Sequence, residues 1–223
     1  MEGKSPSKPA SQVILASASP RRAELMRAHG YDFTVVVPPY SEPDEVHGRL
    51  HPAAWAEALS YFKARSVSQN LTEGIVVGAD TVAALDRRCI GKPEDQEDAR
   101  RIITALAGTT HDVITGVTLV CAATGRRVIR HERTSVTMRP MSDPQIETYL
   151  ATGAWAGKAG AYGIQDHGDA FIESISGGFT NVVGLPMELL ARMLADFGIT
   201  AADGYTGEPT IAQDEDQASI RDS

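Results

Sequence analysis

Val13-Ile14-Leu15-Ala16-Ser17-Ala18-Ser19-Pro20-Arg21-Arg22 is the stretch that decides the fold. Four apolar residues in a row read as a short buried strand. Ser19 then offers an N-cap, and Pro20 suits the first position of a helix. A strand that turns into a helix within a few residues places the helix start at the end of a sheet, where first-turn N–H groups attract anions. Arg21 and Arg22 in that turn run against the macrodipole, which favours acidic residues there by about 0.3–1 kcal/mol. A bound polyanion would reverse the sign, because guanidinium grips phosphate bidentately. Two solvated arginines on an exposed turn are the alternative.

Outward from this stretch, strands and helices alternate. The first helix ends at Gly30, and a strand at Phe33–Val37 is closed by Pro38-Pro39. Ala54, Trp55, Ala58, Leu59 and Phe62 recur at helical spacing over Pro52–Ser68. Ile75-Val76-Val77 predicts a buried strand ending at Gly78-Ala79-Asp80-Thr81, followed by a hairpin from Val82 to Gly91. A helix over Glu94–Ala107 and two long strands, His111–Ala122 and Arg127–Met138, come next. Ser142-Asp143-Pro144-Gln145 is a capping box. A glycine-bearing segment then precedes a strand at Ala170–Ile175 and a last helix from Pro186 to Gly198. This order predicts an α/β protein with a mixed sheet arranged in two lobes.

Composition narrows the class. The chain has 223 residues, 42% hydrophobic and 22% charged, as in an ordinary globular protein. A folded domain is expected over residues 12–202, with residues 1–11 and the acidic residues 203–223 as tails without a fold of their own. No apolar run approaches the roughly 20 residues of a membrane span, and no signal peptide is apparent, so the expected location is the cytoplasm. A formal charge of −8 argues against nucleic acid or an anionic membrane as partner. Cys89 and Cys121 stand far apart and read as buried small apolar residues rather than as a disulfide or metal site.

Several residues have the chemistry to meet a phosphate chain. Asp80, after an apolar strand, can hold a divalent cation or deprotonate water; a turn cap is the alternative. Glu42 offers a second carboxylate. Mg²⁺ or Mn²⁺ needs oxygen ligands, several of which a triphosphate itself supplies. Lys63 lies late in a helix with an apolar face, Lys92 stands between Gly91 and Pro93, and Lys158 sits in Gly157-Lys158-Ala159-Gly160. Each alone suits a surface lysine; converging with the arginines, they would neutralise a triphosphate. Ser17 suits the turn beside the phosphates. The stretch from Lys158 to Gln165 is rich enough in Gly and Ala to approach a flat base, with Tyr162 or Gln165 offering hydrogen bonds. No Walker or Rossmann glycine pattern occurs.

Together, Leu15 to Arg22, Gly78-Ala79-Asp80-Thr81, Gly91-Lys92-Pro93, Lys158 to Gln165 and Val183-Gly184-Leu185-Pro186 follow the order of the Maf family, which the chain resembles from about Val13 to Phe197. The resemblance implies a homodimeric, metal-dependent nucleotide pyrophosphatase. It also implies an elongated mixed β-sheet flanked by helices, with a central cleft between two lobes, as in inosine-triphosphate pyrophosphatases. On that resemblance Asp80 is the catalytic proton acceptor, and Arg21, Thr81 and Gln165 help choose the base. Arg22, Glu42, Lys63, Lys92 and Lys158 match other polar cleft positions. Arg, Thr and Gln at the three base-choosing positions resemble the dTTP/UTP subgroup rather than the 7-methyl-GTP subgroup. A nucleotide-binding regulator of cell division with little turnover, or a purine pyrophosphatase of the same fold, are the competing expectations.

Overall fold

The computed structural model describes residues 12–39, 51–164 and 169–202. The two tails, the loop with Glu42 and the segment with Gln165 lie outside the described residues. One mixed seven-stranded sheet runs β2-β1-β3-β5-β6-β7, with β4 paired to β3 off that path. Its strands are β1 (Val13–Ala16), β2 (Thr34–Val36), β3 (Ile75–Leu85), β4 (Arg88–Ile90), β5 (Thr110–Cys121), β6 (Arg127–Met138) and β7 (Ile172–Ser176). The helices are α1 (Pro20–Ala28), α2 (Pro52–Ser68), α3 (Gln96–Leu106), α4 (Asp143–Ala151), α5 (Phe179–Val183) and α6 (Met187–Ala195). The mixed sheet flanked by helices is the architecture expected from the alternation of elements.

β3 is the organising strand. β5 pairs antiparallel along it from Ile75 to Ala84. Its other edge takes β1, parallel, at Ile75–Gly78, and β4, antiparallel, at Ala83–Leu85. Between them residues 79–82 have no strand on that side among the described residues. The expected end of the strand at Gly78 to Thr81 is therefore wrong: the strand runs through, and Asp80 lies in its middle. The apolar residues on both sides of Asp80 are buried, and β5 satisfies the backbone throughout, so nothing local stops the strand.

Alternation sends Gly78, Asp80, Val82 and Ala84 to one face of the sheet and Ala79, Thr81 and Ala83 to the other. The first face is covered by α2, whose Ala56 and Leu59 pack with Val82, Ala84 and Ile114, and whose Ala64 and Val67 pack with Ile14, Ala16 and Val76. The second face carries two separate cores. Leu15, Met26, Val77, Leu119, Leu185 and Leu190 form one with α1 and α6. Ile103, Leu106, Val136, Met138, Leu150 and Tyr162 form the other with α3 and α4. These are the two lobes.

Other departures are local. β2 is three residues long and wholly exposed. α3 starts later than Glu94, because Asp95 caps it by accepting the Asp98 N–H at 2.8 Å. α5, with five residues, is too short to announce itself by periodicity. Cys89 and Cys121 are half-buried rather than buried, since each lies at a strand end or hairpin.

The backbone of α2 touches the sheet directly. A Cβ on Gly78 would run into the Ser60 carbonyl oxygen and the Ala64 nitrogen, and one on Gly116 into the Ala56 carbonyl. Ser60 Oγ and Thr118 Oγ1, 2.7 Å apart, pin the helix at this contact. Gly78→Ala is therefore expected to force α2 outward and to destabilise the fold by about 1–3 kcal/mol, the usual cost of overpacking. Chemical denaturation compared with the parent checks this; an unchanged midpoint would mean that the helix has room to shift.

Candidate active site

A cleft of about 330 Å³ opens where β3 lacks a neighbour. The Ser17–Pro20 turn leaves β1 at one end of that gap, and Gly91-Lys92 leaves β4 at the other. Lining residues include Ser17, Arg21, Arg22, Lys63, Asp80, Thr81, Lys92 and Lys158. The described site residues expected from sequence thus converge on one cleft. Five of these eight are cations, and Asp80 is the one carboxylate among the described lining residues.

Asp80 faces α2, and Lys63 Nζ donates to its Oδ1 at 2.5 Å. Their side chains are 8% and 12% exposed, so this is a buried pair, where the mutual attraction is far stronger than at a surface. Directly across the ladder from Asp80 is Gly116. No side chain of that residue crowds the carboxylate.

Thr81 faces the opposite side of the sheet and meets Arg22. That guanidinium is buried, not splayed into solvent: Nε donates to Gly184 O at 2.8 Å, Nη2 to Thr81 Oγ1 at 3.2 Å and Nη1 to Ser17 Oγ at 3.4 Å. Ser17 Oγ also accepts the Ser19 N–H at 3.1 Å and so shapes the turn. Ser19 stands at the N-cap of α1, yet its side chain makes no cap bond, contrary to the sequence reading. Arg21 is half-buried at the rim, and Lys92 is exposed. Lys158 Nζ donates to Ala154 O at 2.5 Å.

Tyr162 lines the cleft, but its hydroxyl is engaged behind it, 2.7 Å from His111 Nε2. The expectation that this hydroxyl serves a base is corrected by that bond and by its burial. His111, Thr115 and Asn181 were missed by the sequence reading. The available signal was the polar pair His111 and Thr115 on the same face as Val113, Val117 and Leu119, in a strand otherwise apolar there.

These features define an α/β protein whose cleft gathers five cationic side chains around a single carboxylate among its described lining residues. A family model described as Maf-like protein matches residues 12–197, and the chain belongs to that family. It is 45% identical over 189 residues to a dTTP/UTP pyrophosphatase of Moorella thermoacetica, covering 85% of this chain and 96% of the relative. It is 44% identical over 196 residues to a dTTP/UTP pyrophosphatase of Symbiobacterium thermophilum, covering 88% and 99%. A solved nucleoside-triphosphatase / dITP/XTP pyrophosphatase from Mycobacterium abscessus is a more distant likeness, at 17% identity and a TM-score of 0.43 over 83% of this chain and 98% of that one.

Burial pushes the His111 imidazole down to about 4, with the Asp112 carboxylate opposing in part. Burial also pushes the Tyr162 phenol up. His111 Nδ1 is buried without a hydrogen-bond partner among the described residues, so a second ring proton would have nothing to bond. The folded value lies below the ordinary 6.5, so between about 4 and 6.5 the unfolded chain binds more protons and stability rises with pH. This contribution is present above about 6.5 and is lost as pH falls through about 4. It is on the order of 3 kcal/mol. Melting curves between pH 7 and pH 4.5 are expected to show that loss, and His111→Gln, which cannot titrate, to show a flatter profile. Equal slopes for the two proteins would mean that the ring protonates as freely folded as unfolded.

Proposed function

We propose that the chain is a nucleoside triphosphate pyrophosphatase that hydrolyses dTTP and UTP to the monophosphate and pyrophosphate, clearing surplus or modified nucleotides. The observation that carries this reading is the ring of cations, Arg21, Arg22, Lys63, Lys92 and Lys158, around one buried carboxylate in a chain whose net charge is −8. Such local concentration of positive charge against the overall sign attracts and orients a polyanion. The names of the relatives and the family membership agree with it.

In the proposed reaction, water attacks the α-phosphorus, the bond to the bridging oxygen breaks, and pyrophosphate leaves with that oxygen. Asp80 takes the proton of the attacking water or a metal-ligand position; a pH–rate profile at several metal concentrations separates the two. Lys63 holds the carboxylate in place and gives it a counter-charge. The remaining cations stabilise charge that develops on the phosphoryl oxygens.

Among the described residues no cluster of three or more His, Cys, Asp or Glu side chains is arranged to hold a metal. One carboxylate fits a cation that arrives on the triphosphate, since Mg²⁺ keeps phosphate and water oxygens and needs few protein ligands. Asp80, with Glu42 from outside the described residues, would hold Mg²⁺ or Mn²⁺, which would add charge neutralisation on the phosphates. A homodimer working in the cytoplasm, without nucleic acid, completes the reading. No helix among the described residues is long and apolar enough to cross a membrane.

Asp80→Asn is expected to lose at least a hundredfold in turnover, the usual scale of a general base, while remaining folded. Its melting temperature should fall somewhat, because Lys63 loses the Asp80 counter-charge. Chromatography of the products settles which bond is cut: pyrophosphate supports the reading, and orthophosphate would replace it with γ-phosphate hydrolysis. Wild-type turnover in the folded variant would remove Asp80 from the chemistry.

For the base, Arg21, Thr81 and Gln165 are proposed as the choosing residues. A buried base edge against mismatched polar groups costs about 1–3 kcal/mol per group. Specificity constants are expected to place dTTP and UTP at least tenfold ahead of 7-methyl-GTP and GTP, with Gln165→Glu narrowing the gap. A preference for 7-methyl-GTP in the unmodified protein would overturn the pyrimidine assignment and leave the pyrophosphatase reading standing.

A further inference from the structure

Thr115 lies across the ladder from Thr81 and is fully buried. Its Oγ1 is 2.9 Å from Thr81 Oγ1 and 3.2 Å from Asn181 O. Thr81 Oγ1 also accepts from Arg22 Nη2 at 3.2 Å and stands 3.4 Å from Gly184 O. Each hydroxyl has one hydrogen and two lone pairs, so the directions can be counted. A guanidinium only donates, which makes Thr81 the acceptor in that contact. If Thr115 gives its hydrogen to Asn181 O, Thr81 gives its own to Thr115 at 2.9 Å. If Thr115 gives its hydrogen to Thr81, the Thr81 hydrogen falls on Gly184 O, a longer contact to a carbonyl already accepting Arg22 Nε at 2.8 Å. Both arrangements use the 2.9 Å contact between the two hydroxyls; the first adds the 3.2 Å bond to Asn181 O instead of the 3.4 Å one to Gly184 O, and leaves Thr81 one lone pair. In both, the Thr81 hydrogen stays inside the protein.

We infer that Thr115 is a positioning residue that makes Thr81 acceptor-only toward the cleft, so that the site favours a base edge presenting an N–H to Thr81. The inference rests on the pyrimidine triphosphate reading above. Uracil and thymine carry a hydrogen on N3; cytosine, with the same ring, carries a lone pair there. A lone pair set against the lone pair of Thr81 leaves two acceptors unpaired, which lowers affinity about tenfold. Thr115 thus helps to separate uracil and thymine from cytosine while itself buried behind the cleft wall.

Thr115→Val keeps a similar shape and removes both hydrogen-bonding functions. Asn181 O keeps the Gly184 N–H at 3.0 Å, so no buried carbonyl is orphaned. The measurement is kcat and KM for UTP and CTP in the unmodified protein, Thr115→Val and Thr115→Ser. In Thr115→Val the Thr81 hydrogen keeps only the 3.4 Å contact to Gly184 O, which already accepts Arg22 Nε, and is free to turn to the cytosine N3 lone pair. The UTP-over-CTP ratio of kcat/KM is therefore expected to fall about tenfold, mainly through a lower KM for CTP, and to return in Thr115→Ser. A parent-like ratio in the folded Val variant overturns the inference, and so does an equal loss for both nucleotides, which marks a structural role. If Thr115→Val does not fold, Thr115→Ala, which also lacks the hydroxyl, carries the same two outcomes. Failure of the unmodified protein to hydrolyse UTP or dTTP overturns the functional reading itself, and with it the inference, before any variant is compared.

Discussion

The site depends on how closely α2 lies on the sheet. Gly78 and Gly116 have no side chains where the backbone of α2 passes, and Ser60 and Thr118 bond across the same contact. Lys63 follows Ser60 by three residues, and Asp80 follows Gly78 by two, on the same face of its strand. The helix is therefore held at the distance at which an ammonium reaches a carboxylate in the middle of β3. An ion pair so buried is no net gain in stability over apolar packing. Its presence makes sense as a means of fixing the position of Asp80 beside a ring of other cations.

The second constraint is the missing neighbour of β3. With both faces covered by helices, a central strand that was also paired along both edges would offer no access. Because β1 stops at Ala16 and β4 begins its pairing at Ala83, residues 79–82 are reachable from the edge. Alternation then gives two adjacent residues opposite duties: Asp80 belongs to the α2 side, and Thr81 to the side of Arg22 and Gly184. A cleft that wraps a sheet edge can present a carboxylate and a hydroxyl from neighbouring positions without their competing for one partner. The elements that fill the gap's rim, the Ser17–Pro20 turn and Gly91-Lys92, bring the cations.

Much of this was legible in the sequence, for reasons that differ by element. β1 into α1 was readable because an apolar run, Pro20 and Gly30 are all local signals. α2 was readable because seventeen residues give periodicity room to appear. The set of charged residues was readable from their motifs, and the described ones do meet. The course of β3 was misread because Gly78 and Asp80 look like turn residues when considered alone. Their glycine and carboxylate are required by α2, far away in sequence, which no local rule reports. The inward turn of Arg22 was invisible for the same reason, being fixed by Gly184 and Thr81, and α5 is too short to show a period. Glu42 and Gln165 lie outside the described residues.

Buried polar groups on β5 and α5 form a layer behind the cleft. His111, Thr115 and Asn181 are each almost wholly buried, and polar atoms in such places destabilise unless bonded. Here most of their polar atoms are bonded to cleft residues and to the neighbouring strands: His111 to Tyr162, Thr115 to Thr81, Asn181 Nδ2 to Val113 O and to Thr134 Oγ1, while His111 Nδ1 and Asn181 Oδ1 have no partner among the described residues. An all-apolar strand would pack the two lobes at least as well. What it would not do is fix where each cleft hydroxyl points, because apolar contacts constrain position but not the direction of a hydrogen. The polar layer trades some burial energy for orientation, and a site that must tell bases apart by their hydrogen-bonding edges needs orientation more than it needs stability.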